Sequence, residues 1–100
     1  MIYSNSAESM YEIVYSSQFK KKLKLCAKRG LDMHKLQCVL EILSTGAVLP
    51  AQYRQHKLTS NFAGCWECHI QPDWLLLWQQ NDTELILLLI DTGTHSDIFG

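Results

Sequence analysis

One hundred residues, 47% hydrophobic and 10% aromatic, suffice for one compact core and exclude both a disordered chain and two independent domains. Charged residues make up 19% and the net charge is −1, so overall composition carries no signature of a nucleic-acid-binding protein. The cations are nevertheless segregated. Lys20, Lys21, Lys22, Lys24, Lys28, Arg29 and Lys35 crowd the first third, Arg54 and Lys57 follow, and from Leu58 to Gly100 there is no lysine or arginine. A basic block on one helix steers a polyanion even at near-zero net charge, and it equally makes a solvated helix face.

The opening MIYSNSAESM lacks a basic n-region and an apolar h-region, and the longest apolar run, Leu85–Ile90, is far too short to span a bilayer. The expectation is a cytoplasmic chain with no membrane partner, whose cysteines stay free thiols without a disulfide framework.

Residues 1–9 are serine-rich and without pattern, which predicts a flexible extension ahead of a single domain over 10–100. Met10–Tyr15 alternates as a strand does. Ser16 or Ser17 caps a helix running to about Arg29, with Phe19, Leu23, Cys26 and Ala27 on one face, and Gly30 stops it. Asp32 caps a second helix whose buried stripe is Leu36, Val39, Leu40 and Leu43, and Gly46 ends it. The two make a helical hairpin. Leu49-Pro50 marks an extended crossover.

The second half reads as strands. Cys65–Ile70 alternates, Gln71-Pro72-Asp73 is a turn, Trp74–Gln80 is apolar, Asn81-Asp82 turns the chain and Glu84–Asp91 forms the most apolar strand. The order β-α-α-β-β-β predicts an α+β domain, with the helical hairpin packed on one face of a mainly antiparallel sheet.

Three of the four histidines, His56, His69 and His95, lie beside turn or strand-end signals, and His34 sits among polar residues at a helix start. In the strand ending at His69, Cys65, Glu67 and His69 point one way and Trp66, Cys68 and Ile70 the other. The second set reads as core, so Glu67 and His69 face away from it. Asp73 and Trp74 follow at the turn. They are a turn residue and a core ring, or a carboxylate that orients a histidine and an indole on which a base stacks. His95 follows Gly93, where a sharp bend swings the C-terminus back across the sheet. Phe99 then either anchors that segment or stacks on a base.

Histidine suits RNA cleavage because its ordinary pKa, about 6.5, makes both protonation states available near neutrality. A base takes the 2′-OH proton and an acid protonates the leaving 5′-oxygen, each worth about 10²–10⁴-fold. No metal or other cofactor is needed. Cys65-Trp66-Glu67-Cys68-His69 contains a C-x-x-C followed by histidine, but on a strand the two cysteines project from opposite faces, and no second pair completes a zinc site. No phosphate-cradling glycine loop, metalloprotease helix or serine-nucleophile elbow is present.

Three blocks carry a specific resemblance. They are His56-Lys57-Leu58, then Gly64 followed by Cys68-His69-Ile70-Gln71-Pro72-Asp73-Trp74, and finally Thr92-Gly93-Thr94-His95 with Phe99-Gly100. In order and spacing, residues from about Met10 to Gly100 resemble the YafQ branch of the RelE/ParE toxin superfamily. The resemblance implies a RelE-like fold and the toxin of a type II toxin–antitoxin system. Such a toxin is a ribosome-dependent endoribonuclease that cleaves messenger RNA and is held inactive by a cognate antitoxin. Carried over by position, the catalytic set is His56, His69, Asp73 and His95, with Trp74 and Phe99 positioning bases. His95 is then the general acid, Asp73 or His56 the general base, and His69 stabilises the phosphate. Such toxins usually carry a basic residue where Trp66 and Asp91 stand here, so either catalysis is weaker or neutralising the transition-state phosphate falls to Lys57, Arg54 and a protonated histidine.

Two other readings share the fold. One is a ParE-like toxin that blocks a protein without catalysis. The other is a degenerate member that only binds its antitoxin. The first has no need for three histidines around one sheet, and the missing basic residues at Trp66 and Asp91 fit the second. The antitoxin would wrap the domain as a helix in a groove or as an added edge strand.

Overall fold

A computed structural model of the chain describes residues 10–100. The proposed flexible extension, residues 1–9, lies outside them. The first strand, β1 (Glu12–Tyr15), leads through Ser16 into helix α1 (Ser17–Lys28). Here the Phe19 N–H donates to the Ser16 hydroxyl at 3.0 Å. Helix α2 (Met33–Ser44) starts in the same way, with the His34 N–H donating to the Asp32 carboxylate at 2.9 Å. Each cap satisfies an amide that has no partner within the helix.

Beyond the hairpin the chain makes a one-turn 3₁₀ helix at Ala51–Tyr53 and a two-residue strand β2 (His56–Lys57). A second 3₁₀ turn at Ser60–Phe62 precedes β3 (Trp66–Gln71), β4 (Trp74–Asn81), β5 (Ile86–Gly93) and a short helix α3 (His95–Phe99). The five strands form one sheet in the order β1-β5-β4-β3-β2. Only β1 against β5 is parallel, and the remaining pairs are antiparallel. A parallel neighbour requires a crossover connection, and the helical hairpin is part of it.

The predicted α+β class and the hairpin on a mainly antiparallel sheet both match the structure. Two elements go beyond the predicted order. The strand at His56–Lys57 is too short to show an alternation. Helix α3 is five residues long but carries a capping signal: the Asp97 N–H donates to the Thr94 hydroxyl, and the Thr94 N–H donates back to the Asp97 carboxylate. The last strand also starts two residues later than the pattern suggests. Asp82–Leu85 forms a turn organised by Asn81, whose side-chain oxygen accepts from the Thr83 and Glu84 N–H groups at 3.0 and 2.8 Å.

The main core lies between the hairpin and one face of the sheet. Phe19 and Cys26 of α1 and Leu36, Val39, Leu40 and Leu43 of α2 meet Cys68, Ile70, Trp74, Leu76, Trp78, Leu87 and Leu89 of the strands. Cys65, Leu75 and Leu77 are also buried but stand outside this cluster, so the opposite face holds a smaller apolar layer of its own. Burial, and then the neighbouring Glu67 charge, push the Cys68 thiol up to about 12, so it stays protonated at neutral pH. All four cysteines are free thiols.

Candidate active site

Strand pairing brings the chemistry together on the face away from the hairpin. His56 pairs with Glu67, and Glu67 with Leu77; His69 pairs with Leu75, and Leu75 with Gly93. With strands about 4.8 Å apart, His69 and Gly93 stand about 10 Å apart across β4. Gly93 is where the chain leaves the sheet for α3.

Glu67 is the centre of one half of this site. It is only 5% exposed, and its Oε1 lies 3.0 Å from His56 Nε2 and 3.8 Å from His69 Nε2. The other nitrogen of each ring meets a backbone carbonyl: His56 Nδ1 lies 2.6 Å from the Arg54 oxygen and His69 Nδ1 3.2 Å from the Pro72 oxygen. Acceptors thus face both nitrogens of His56, and a ring carrying both protons donates to each. A buried carboxylate needs such donors, because an unpaired charge out of water is costly. Sequence periodicity puts Glu67 on the face away from the core; that a histidine on β2 covers it there depends on a pairing with no sequence signal.

Asp73 and His95 form the other half. The His95 N–H donates to Asp73 Oδ1 at 3.0 Å, so the β3–β4 turn holds the first residue of α3. The other Asp73 oxygen makes no hydrogen bond among the described residues. His95 is exposed, and its ring packs on Phe99 with centroids 4.8 Å apart. Phe99 is half-buried and meets Phe62 edge-on at 5.1 Å. It anchors the helix that carries His95.

Helix α3 is tied down from α1. Arg29 Nη1 lies 2.6 Å from Asp97 Oδ2, and Lys22 Nζ bridges Asp91 Oδ1 at 3.1 Å and the Asp97 carbonyl at 3.3 Å. Asp91 is 4% exposed and also accepts from Gln18 Nε2 at 2.9 Å. An aspartate at this position is therefore the counter-ion of the α1 lysine. Gly93, at φ 149°, permits the approach of the Asp97 side chain, since a Cβ there would meet Asp97 Oδ2 at 2.8 Å.

The Arg29 guanidinium, and then the Thr94 N–H, hold the Asp97 carboxyl well below the usual carboxylate range. A depressed value means that the stabilisation is complete above the ordinary aspartate pKa of about 3.9 and is lost as pH falls through the folded-state value. Arg29→Ala is therefore expected to raise the Asp97 titration midpoint and to loosen α3 at a higher pH than in the wild type. A carbon-13 titration of the carboxyl, with amide exchange of residues 95–99, measures both.

Two expected site residues stand elsewhere. The Trp74 ring is 2% exposed in the hairpin-side core and donates from Nε1 to Thr92 Oγ1 at 2.9 Å, which leaves no face open for a base. Lys57 alternates with His56 and so points to the other side of the sheet, where its Nζ lies 5.4 Å from the centre of the Trp66 ring. The structure gives Trp74 a packing role and separates Lys57 from the histidines. Arg54 borders a cleft beside His69. Among the described residues no group of three or more His, Cys, Asp and Glu side chains is arranged to hold a metal, and no helix is long and apolar enough to cross a membrane.

Fold and site together define a small α+β protein with His56, Glu67 and His69 gathered on the face of its sheet away from the helical hairpin. The sequence matches, over residues 11–100, the family described as YafQ, bacterial toxin of type II toxin–antitoxin system. The chain belongs to this family. It is 40% identical over 90 residues to the messenger RNA interferase toxin YafQ of Escherichia coli strain B/BL21-DE3, covering 89% of this chain and 96% of that one. The crystal structure of YafQ from E. coli BL21(DE3) superposes with a TM-score of 0.84 at 38% identity, over 90% of this chain and 99% of the other. YafQ in the E. coli DinJ–YafQ toxin–antitoxin complex gives 0.83 at 37% identity, over 91% of this chain and 99% of that one.

Proposed function

We propose that this protein is the toxin of a type II toxin–antitoxin system and acts in the cytoplasm as an endoribonuclease on ribosome-bound messenger RNA. The observation that carries the reading is the division of the site: two histidines gathered on the buried Glu67, opposite an exposed histidine at the start of a clamped helix. RNA cleavage by 2′-OH attack needs a base, an acid and positive charge at the phosphate.

His95 supplies the acid, because its ring is exposed and its backbone is held by Asp73. His56 and His69, supported by Glu67, supply charge to the phosphate. Of the two candidate bases, Asp73 fits better: it keeps a free carboxylate oxygen, whereas acceptors occupy both nitrogens of His56. Arg54 adds positive charge beside His69, and Phe99 positions a base as well as packing on His95. A cognate antitoxin is the expected protein partner, as DinJ is for the E. coli relative.

The test is induced expression followed by primer extension on a translated message. Growth arrest with new RNA ends at codon-defined positions, relieved by co-expression of the antitoxin, is the expected result. Growth arrest without new ends assigns the chain to a non-catalytic, protein-blocking toxin of the ParE kind. No arrest at all leaves antitoxin binding as its only task.

A further inference from the structure

Beside His69, a cleft of about 470 Å³ is lined by Lys35, Gln52, Tyr53, Arg54 and Gln71 as well as by His69 itself. We propose that this cleft binds the ribose-phosphate backbone of the RNA strand next to the scissile bond, an inference that rests on the nuclease reading above.

Its charge is the first argument. Lys35 comes from the first turn of α2 and Arg54 from the end of the Ala51–Tyr53 turn, so two separate elements converge two cations on one opening. Both are exposed, and neither has an ion-pair partner among the described residues. Lys22 and Arg29, by contrast, are taken by Asp91 and Asp97, while Lys20, Lys21, Lys24 and Lys28 are exposed along α1 and do not line this cleft. No aspartate or glutamate lines the cleft, and the nearby Glu67 is buried against His56 and His69. The surplus positive charge therefore faces outward, where a polyanion can meet it.

Its connection to the histidines is the second argument. His69 belongs to both the cleft and the Glu67 cluster. Arg54 has a left-handed backbone, φ 52° and ψ 45°, which a non-glycine residue adopts only at a cost. In that conformation its carbonyl takes the His56 ring at 2.6 Å. One residue thus presents a guanidinium to the cleft and holds a site histidine by its backbone. The volume suits a nucleotide unit. The Gln52 and Gln71 amides and the half-buried Tyr53 ring give neutral contacts of the kind that tolerate any base.

The experiment measures binding of 2′-O-methylated, non-cleavable RNA across a salt series, using a dinucleotide and a longer strand. For the longer strand, Lys35→Gln and Arg54→Gln are each expected to lower the slope of log affinity against log salt by about 0.7, the value of one single-strand phosphate contact. Lys35→Arg is expected to restore it, which separates charge from any packing effect. The dinucleotide offers only the scissile phosphate, which His69 takes, and is expected to keep its slope in the Lys35 variant. If both glutamine variants keep the wild-type slope while the wild type still cuts RNA, the cleft is not a phosphate site and the nuclease reading stands. If the wild type neither binds nor cuts any strand, the nuclease reading fails and the cleft proposal fails with it.

Discussion

Replacing His95 by alanine is expected to slow RNA cleavage by about 10²–10⁴-fold, the contribution of one positioned proton donor. The protein should still fold. The imidazole is exposed, and what holds α3 in place does not involve it: the Asp73 contact uses the His95 N–H, the capping box uses Thr94 and Asp97, and the tether from α1 uses Arg29 and Lys22. The side chain packs on the Phe99 ring. Single-turnover cleavage on programmed ribosomes measures the loss, and a thermal melt shows whether the fold survives. Full cleavage by a folded His95→Ala variant would remove His95 as the acid.

Truncating Trp74 to alanine is expected to cost about 3–5 kcal/mol of stability, as loss of a large buried aromatic does. The ring fills the space between the helical hairpin and β4, and its Nε1–H satisfies Thr92 Oγ1, which in turn donates to the Leu75 carbonyl at 2.8 Å. Trp74→Phe keeps most of the ring and removes that hydrogen bond, at about 1 kcal/mol plus whatever gap the smaller ring leaves. Urea denaturation midpoints read both effects. Cleavage per folded molecule should change little in Trp74→Phe. An unchanged midpoint combined with a marked loss of RNA affinity would instead make the indole a stacking platform.

Much of the fold is legible locally. The two helices were readable because Ser16 and Asp32 are caps whose side chains reach only three and two residues along the chain. The apolar stripe of α2, from Leu36 to Leu43, was equally plain, since helical spacing puts it on one face. Periodicity likewise sorted β3 into a hairpin-side set of Cys68 and Ile70 and an opposite set of Glu67 and His69. Helix α3 had a readable signal too, in Thr94 and Asp97 three residues apart, overshadowed by its five-residue length.

Glu67 shows where local reading stops. Alternation gives the side of the sheet on which a residue lies, but not what covers it there. Its burial depends on β2, two residues long, pairing so that His56 stands opposite Glu67. The same pairing turns Lys57 away from the histidines and over Trp66. Trp74 was ambiguous for a related reason, since an aromatic at a turn serves equally as core or platform until the second layer is known. Asp91 meets its lysine across 69 residues of sequence, a separation over which no spacing rule operates. By itself the sequence determined the two hairpin helices, the four longer strands, the face taken by the side chains of β3 and, through three motif blocks, the family, because these depend on neighbours a few residues apart or on matched order along the chain. Only the tertiary structure decided which charges meet, which rings are buried and which face of the sheet holds the histidines together, because those follow from strand pairing between distant segments.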